Sequence, residues 1–261
     1  VDVDDLESVV LFRVLARSPT YLSKPLQYLE GAKSWLYERL LLPLRFHRLL
    51  VCKREDRRLF APGLRHKIFV VPNGVRPAPA CDPADEAPSE LLFVGSLEYW
   101  PNEDAVTYFV REVLPSIQAR HPGARFTIVG ARPGDAVRRL HNGADVIVAG
   151  SVPDLEPYYR RATLVVVPMR LGGGTRIKVL EALVHEKALV TTSIGVEGLD
   201  LRSGDALEIA DGADAFADAC VRLLGDAAAR RRLAESGREQ VLERFVWDAV
   251  LSARLGAVLA S

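Results

Sequence analysis

The stretch VVVPMRLGGGTRIKVLEALVHEKALVTTS, residues 165–193, holds the residues best placed to do chemistry. Its apolar run ends at Pro168, and three glycines, residues 172–174, precede a helix-like segment that opens with Arg176 and Lys178. A helix dipole disfavours positive charge in the first turn by about 0.3–1 kcal/mol per cation. Free N–H groups at a helix start suit phosphate, and glycines let the backbone come close to a ligand. The pattern therefore predicts an anion site, in which Arg176 could grip a phosphate with two hydrogen bonds.

Glu181 lies one turn beyond Lys178, where its carboxylate could accept hydrogen bonds from the vicinal hydroxyls of a ribose. The alternative is a tight turn followed by an ion pair between Lys178 and Glu181 at spacing i, i+3. The loop does not match the P-loop, which requires Gly-Lys-Ser/Thr, and the sequence has no G-x-G-x-x-G fingerprint. An NAD-type oxidoreductase is therefore disfavoured.

The composition excludes several other classes. The formal net charge of the 261 residues is zero, so we expect no nucleic-acid partner. The three cysteines and five histidines show no metal-ligand spacing, so we expect no metal and no cofactor. The odd cysteine count argues against a disulfide framework and fits a reducing cytoplasm, and no apolar run is long enough to cross a bilayer.

From about Leu91 onward, short apolar segments alternate with helix-like segments. This alternation is typical of βαβ units and predicts an α/β fold, a Rossmann-like doubly wound parallel sheet. The predicted strands are Leu91–Gly95, Arg125–Gly130, Asp145–Gly150, TLVVVP (163–168), Ala188–Ser193 and Ala206–Ala210. Helices are predicted over Asn102–Arg120, over 133–141, from Pro153 and Asp154, and from near Thr175.

The first 76 residues have too few strands for a complete α/β domain. RLLVCK and KIFVVPNG read as strands, Leu6–Leu50 is mostly helix-like, and the acidic run Asp2–Asp5 is typical of a strand end followed by a helix N-cap. Between Lys33 and Lys67, ten Lys or Arg side chains stand against three acidic ones, interleaved with tryptophan and leucines. This segment is either a basic amphipathic surface for a membrane or a solvated helix packed on a partner domain.

These motifs, in their order, resemble the retaining GT-B glycosyltransferases of the group 1 class. GGGTRIKVLEAL, preceded by VVVP and followed by ALVTTSIGVEGL, resembles the donor site of that family, and VVPNGV resembles the hinge between its two Rossmann domains. LLFVGSLEYWPNEDAVTYFVREVLP resembles the first strand, loop and helix of the nucleotide-sugar domain. FTIVGARP and VAGSVPDLEPYY resemble the loops that hold the base, and VDVDDLES and RLLVCKREDRRLF the last third of the acceptor domain.

The resemblance implies transfer of a sugar from a nucleotide-diphosphate donor. It gives Arg176 and Lys178 the catalytic task of neutralising the leaving diphosphate at the helix start, without a metal. Glu181 would bind the donor ribose. The remaining implied donor contacts are Gly95, Ser96, Gly130, Ala131, Val152, Pro153, Tyr158, Gly173, Gly174 and Thr175.

Two departures from the family pattern stand out. The family often has a second glutamate eight positions before the one that matches Glu181, and Gly173 stands there in this sequence. Glu197, in GVEGL, is a candidate for a related donor-binding role, and its alternative is a surface loop acid. Many members also have an arginine where Ser96 stands, which leaves more of the phosphate charge to Arg176 and Lys178.

We therefore expect a remnant of the acceptor-side domain over 1–76, a linker over 77–90, a nucleotide-sugar-binding domain over 91–245 and a C-terminal helix over 246–261. The expected function is transfer to a glycan or lipid-linked acceptor, as in polysaccharide biosynthesis. The alternative is a nucleotide-sugar-binding fragment or degenerate member without activity of its own. The expected location is the cytoplasm, with peripheral contact at the inner face of the membrane and self-association of the fragment as further expectations.

Overall fold

The computed structural model describes residues 2–3, 6–17 and 25–259, with side chains up to residue 253. These residues form two parallel β-sheets, one of three strands and one of six, with helices packed against both. The α/β fold class predicted from the alternating strand and helix patterns is confirmed.

The strands follow the apolar segments of the sequence. The small sheet consists of β1 (Asp2–Val3), β2 (Leu49–Val51) and β3 (Ile68–Val70), in that order. The large sheet contains β4 (Glu90–Val94), β5 (Arg125–Val129), β6 (Val146–Gly150), β7 (Leu164–Val167), β8 (Leu189–Thr191) and β9 (Glu208–Ile209).

The helices of the first part are α1 (Glu7–Arg17), α2 (Pro25–Leu36), which continues through a π-helical turn (Tyr37–Leu41) into α3 (Leu42–Arg45), and α4 (Arg54–Arg58). Short 3₁₀ turns cover Pro62–Lys67 and Pro83–Asp85. The later helices are α5 (Trp100–Tyr108), continued by a π-helical turn (Phe109–Val113) and α6 (Leu114–Gln118), then α7 (Asp135–Arg138), α8 (Glu156–Arg161), α9 (Ile177–Val184), α10 (Ala213–Gly225), α11 (Ala227–Arg244) and α12 (Trp247–Leu259).

The large sheet has the strand order β6-β5-β4-β7-β8-β9, and every pairing is parallel. The order reverses between β4 and β7, so the connections that follow these two strands leave toward opposite sides of the sheet. A crevice opens at the carboxyl ends of the strands at such a switch point, and ligands of open α/β sheets bind there. The loop after β4 begins with Gly95, and the glycine loop 172–174 follows β7, so both predicted loops border this crevice.

Apolar residues cover both faces of the large sheet. Phe126 of β5 is fully buried, and its ring centroid lies 4.5 Å from that of Phe109, which in turn lies 6.0 Å from Phe216 of α10. Strands with side chains buried on both faces appear as continuous apolar runs, which is why the sequence pattern located them within one or two residues.

The small sheet rests on a much smaller core. Its buried apolar side chains are Leu6, Leu42, Leu49, Val51, Phe60 and Ile68. The sequence predicted two strands in this region. The structure has a third, β1, which comes from the segment interpreted as a strand end and pairs in parallel with β2. Asp4 and Asp5 of the acidic run lie outside the described residues.

The predicted linker packs along the large sheet's helices. Cys81 is buried, its N–H donates to the carbonyl of His185 at 3.1 Å, and Glu86 pairs with Lys187 at 2.9 Å. Helix α12 returns to the start of this segment, where Val75 pairs with Val246 as an isolated bridge. The segment thus has fixed contacts with the six-stranded part.

Candidate functional site

The glycine loop turns sharply before α9. Gly172 and Gly174 have φ values of 127° and 61°, in the region that side chains with a Cβ rarely adopt. The hydroxyl of Thr175 is buried and has no hydrogen-bond partner among the described residues. Helix α9 begins at Ile177, two residues after the predicted start, and no side chain caps its N-terminus. The loop therefore leaves polar groups unsatisfied at the helix start.

Arg176 occupies the N-cap position of α9 rather than its first turn. Its side chain is 6% exposed and folds back onto the loop, where it donates to the carbonyl of Gly173. The guanidinium therefore holds the glycine turn in this structure.

Lys178 lies in the crevice between β4 and β7. Its ammonium donates to Oδ1 of Asn102, lies 3.9 Å from Sδ of Met169 and sits 4.5 Å from the ring centroid of Phe93. A Cβ at residue 95 would come within 2.7 Å of Nζ, so Gly95 is required for the lysine to reach this position.

The environment of Lys178 disfavours its charge. Burial, and then the positive charge of Arg176, lower the pKa of Lys178 to about 7, while Glu181 opposes the shift. In the described part of the chain the ammonium makes no ion pair. A cation that lies beside a helix N-terminus without a counter-ion is well placed to bind an anion.

Asn102 is a site residue that the sequence reading missed. It is 4% exposed, accepts from Lys178 and donates through Nδ2 to the carbonyl of Ser96 at 2.7 Å. It links the loop after β4 to the lysine from α9. The signal that the sequence offered is an asparagine in the first turn of a predicted helix, shortly after the loop that follows β4.

The loops after β4 and β5 pack closely together. Leu97 donates its N–H to the carbonyl of Ala131 at 2.9 Å, and a Cβ at Gly130 would overlap the carbonyl of Gly95. Gly95, Ser96 and Gly130 therefore lie together at the end of the sheet, with Lys178 next to Gly95.

Glu181 follows Lys178 on α9 by three positions, a spacing at which side chains of a helix are neighbours. It lines a cavity of about 350 Å³, together with Leu155, Tyr159, His185 and Trp247. Burial raises the pKa of Glu181, and the charge of Lys178 partly counters this. The remaining lining residues are Gly74, Val75, Arg76, Pro77, Ala78, Ile177 and Val184.

Three of the residues assigned to the base occupy a different cavity, which neither Gly130 nor Ala131 lines. Val152, Pro153 and Tyr158 line a space of about 670 Å³ that extends along the sheet to Glu90, the first residue of β4. This cavity shares no lining residue with the one that contains Glu181. The structure therefore does not bring the predicted base and ribose contacts into a single cavity.

Glu197 faces the first part of the chain. Its carboxylate receives two hydrogen bonds from Arg13 of α1, at 2.8 and 3.0 Å, and lies 3.2 Å from Nζ of Lys53. Neither cation was connected to Glu197 by the sequence pattern.

Among the residues that the structure describes, no three His, Cys, Asp or Glu side chains form a group that could hold a metal ion. No helix among these residues combines the length and apolar character that crossing a bilayer requires.

The sequence of the large domain matches a family model. The model for glycosyl transferases group 1 covers residues 88–226, which is more than half of the chain. The chain therefore belongs to the family of glycosyl transferases group 1.

The chain is also similar to individual curated proteins. The chain is 24% identical to an uncharacterized 44.6 kDa protein in the cps region of Klebsiella pneumoniae, covering 81% of the chain and 56% of the relative. It is 30% identical to glycogen synthase of Mycobacterium tuberculosis, covering 79% of the chain and 51% of that protein. The chain thus spans about half the length of these curated relatives.

The fold of the chain is also found in solved structures. The crystal structure of Anabaena HepE in complex with UDP-glucose superimposes with a TM-score of 0.74 at 13% identity, over 100% of this chain and 71% of HepE. This likeness concerns the fold.

Proposed function

We propose that the chain binds a nucleotide-diphosphate sugar at the crevice between β4 and β7 and acts as the donor-binding part of a glycosyltransferase. The observation that carries the proposal is Lys178, whose ammonium lies in the crevice beside the start of α9 without an ion pair among the described residues. A diphosphate would supply the missing negative charge. The negative charge that develops on the leaving group would then be stabilised by fixed cations and helix N–H groups, without a metal.

The roles proposed for Lys178, Arg176 and the glycine loop are those that the sequence predicted. Lys178 neutralises the leaving diphosphate directly. Arg176 shapes the glycine turn and adds its charge, and Gly173, Gly174 and Thr175 offer polar groups of the loop. The unpartnered hydroxyl of Thr175 supports a ligand at this point.

The test is calorimetry with UDP and GDP on the wild type, Lys178→Met and Lys187→Met. We expect Lys178→Met to lose most of the affinity. Lys187 is also buried but pairs with Glu86, so Lys187→Met is the matched control and should bind as the wild type does. Equal affinity of all three proteins would place the nucleotide elsewhere.

Proton uptake gives a second readout of the same site. At pH 8 a lysine with a pKa of about 7 is mostly neutral, and a bound diphosphate restores its charge. The binding enthalpy should therefore vary with the ionisation enthalpy of the buffer, corresponding to an uptake of about one proton. Lys178→Met should abolish this dependence if it retains measurable binding.

Glu181 is proposed as the acceptor of ribose hydrogen bonds. Its place in the 350 Å³ cavity, next to the crevice, supports this role. Glu181→Gln should weaken nucleotide binding by about 1–3 kcal/mol, the scale of hydrogen bonds to a charged group. A 2′-deoxyribose nucleotide should bind the wild type weakly and be little affected. Equal losses for both nucleotides would contradict the assignment.

The finer reaction is also proposed: hexosyl transfer with retention to a glycan or lipid-linked acceptor, in the cytoplasm, as part of polysaccharide biosynthesis. The glycogen synthase and the cps-region protein among the relatives support a polysaccharide context. A competing proposal, a degenerate donor-binding member, is favoured by Gly173, which stands where the family often has a glutamate. Hydrolysis of UDP-glucose or GDP-mannose by the full-length protein would decide between them.

Contact with a membrane and self-association are proposed for the helical segment 25–45. Leu26 and Leu44 are 74% and 68% exposed, and Trp35 is 45% exposed. Exposed apolar groups near basic side chains favour anionic lipid surfaces, and apolar patches also favour association of copies. Sedimentation with anionic and neutral vesicles, together with light scattering, tests both ideas.

A further inference from the structure

Arg13 joins the first part of the chain to the glycine loop. Its Nη1 donates to the carbonyl oxygen of Gly172 at 2.6 Å, and its guanidinium makes both hydrogen bonds to Glu197. The side chain crosses from α1 to two loops of the six-stranded part, which follow β7 and β8. No sequence motif had suggested a role for Arg13.

The loop after β8 is shaped to receive these cations. Lys53 is 1% exposed and lies 3.2 Å from Glu197 and 3.6 Å from Asp56. Gly198 has a φ of 86°, and a Cβ there would come within 2.7 Å of the Cβ of Lys53. The glycine therefore admits the lysine stem, and Glu197 receives the charge.

The charge on Glu197 is maintained by this arrangement. Burial alone would raise the pKa of Glu197, but the hydrogen bond from Arg13 and the charge of Lys53 hold the pKa below its ordinary value. The carboxylate is thus a stable anchor for Arg13 at neutral pH.

The hydrogen bond from Arg13 to the carbonyl of Gly172 restricts the conformation of the glycine loop. The peptide between Gly172 and Gly173 is planar and trans, so its carbonyl and its N–H point in opposite directions. Gly172 and Gly174 both have positive φ, and glycines permit many other orientations of this peptide. Fixing the carbonyl of Gly172 therefore fixes the direction of the N–H of Gly173.

We propose that Arg13 is a positioning residue for the donor site. Anchored by Glu197, it holds the Gly172–Gly173 peptide in the orientation in which the glycine loop receives the diphosphate. Glu197 is in this view the counter-ion of Arg13 and Lys53 rather than a sugar contact. The inference rests on the proposed nucleotide-diphosphate site, and it links that site to docking of the first part of the chain. By thermodynamic linkage, a bound diphosphate strengthens the docking in return.

The test compares Arg13→Ala and Arg13→Lys with Arg120→Ala. Arg120 pairs with Asp218 on the surface and serves as the control. We expect Arg13→Ala to weaken UDP or GDP binding about tenfold, Arg13→Lys somewhat less, and the control not at all. The NMR order parameters of the Gly173 and Gly174 amides in the unliganded protein should fall from about 0.85 toward 0.6 in Arg13→Ala and remain unchanged in Arg120→Ala.

A compensated double variant separates positioning of the loop from a general contribution to stability. Arg13→Met combined with Glu197→Gln removes the guanidinium together with the charge that it neutralises, while the amide oxygen of the glutamine can still accept from Lys53. A methionine on α1 cannot donate to the carbonyl of Gly172. We expect the double variant to recover thermal stability relative to Arg13→Met while nucleotide affinity remains low. Recovery of both properties would overturn the positioning role.

The outcomes also separate this inference from the proposed function. If the wild type binds nucleotides and Arg13→Ala binds them equally well with unchanged order parameters, the role of Arg13 is wrong and the site stands. If the wild type binds no nucleotide diphosphate, the proposed function fails. The order parameters of Gly173 and Gly174 still decide whether Arg13 orders the loop.

Discussion

Both parts of the chain bury charged side chains, but the three-stranded part does so beside a much smaller apolar core. The six-stranded part buries Glu90, Arg176 and Lys187. Around β5 the interior consists of rings and aliphatic groups such as Phe109, Phe126 and Phe216. The three-stranded part has a six-residue apolar core and buries Glu38, Arg39, Lys53 and Asp56, each less than 9% exposed.

The difference indicates how each part is stabilised. Hydrophobic burial needs no particular partner beyond a dense core, so the six-stranded part is stabilised by its own layers. Buried ions are stable only while their partners are in place, and one such partner, Glu197, belongs to the other part. The smaller part therefore depends on the larger one more than the reverse.

The largest expected effect is in the aromatic core. Phe126→Ala should lower the free energy of unfolding by about 3–5 kcal/mol, because it removes a fully buried ring and leaves a cavity beside Phe109. Urea denaturation measures the loss. Leu44→Ala, at a 68% exposed leucine, is the control. A loss below about 1 kcal/mol for Phe126→Ala would mean that this core is not densely packed.

The second-largest effect on stability is expected for the buried ions of the three-stranded part. Glu38 accepts from the N–H and the hydroxyl of Ser8, at 3.1 and 2.5 Å, and lies 3.4 Å from Arg39. Glu38→Ala removes the acceptor of the Ser8 N–H and the carboxylate next to Arg39, which is left with its hydrogen bond to the Ser8 hydroxyl at 2.7 Å. We therefore expect a loss of about 3 kcal/mol. Replacing the cluster together, as Ser8→Ala, Glu38→Met and Arg39→Leu, should cost less than Glu38→Ala alone. If the triple variant is the less stable of the two, the buried ions contribute more to the free energy of unfolding than the apolar side chains that replace them.

The third prediction concerns Lys178, a cation in the larger part. Its pKa in the folded chain, about 7, is below the ordinary value of 10.5, so the unfolded chain binds more protons between these pH values. The free energy of unfolding should therefore rise with pH above 7, by at most about 1.4 kcal/mol per pH unit, and this contribution is lost as pH falls through 7. Denaturation of the wild type and Lys178→Met from pH 6 to 8.5 isolates it. Parallel curves for the two proteins would contradict the lowered pKa.

The smallest effect on stability is expected at the exposed helical segment. Leu44→Glu should change the free energy of unfolding by about 0.5 kcal/mol or less, because the side chain is already exposed. The same change should reduce sedimentation with anionic vesicles and the mass seen by light scattering. An unchanged result in both assays would remove Leu44 from the proposed contact surface.

The sequence predicted the larger part well because its information is local. Each strand of the large sheet is a short apolar run followed by a turn, and the glycine loop has its own signature between β7 and α9. The starts of α8 and α9 were predicted two or more residues early, since both helices follow irregular loops.

The site was predicted less completely because several of its contacts join distant positions. Arg13 and Glu197 are 184 positions apart, and Lys178 and Asn102 are 76 apart. Such pairs leave no periodic pattern along the chain. The sequence could name Lys178 and Glu197 by type and place, but only the fold shows that the first lies against Phe93 and the second faces two cations.

The contact between Trp247 and Gly74 has a mechanical consequence. A Cβ at Gly74 would lie 2.6 Å from the indole, and the N–H of Trp247 donates to the carbonyl of Val75 at 3.3 Å. The same indole forms part of the wall of the cavity that contains Glu181. One ring therefore borders both the cavity and the backbone between the two parts, so a substitution at Trp247 changes both of them together.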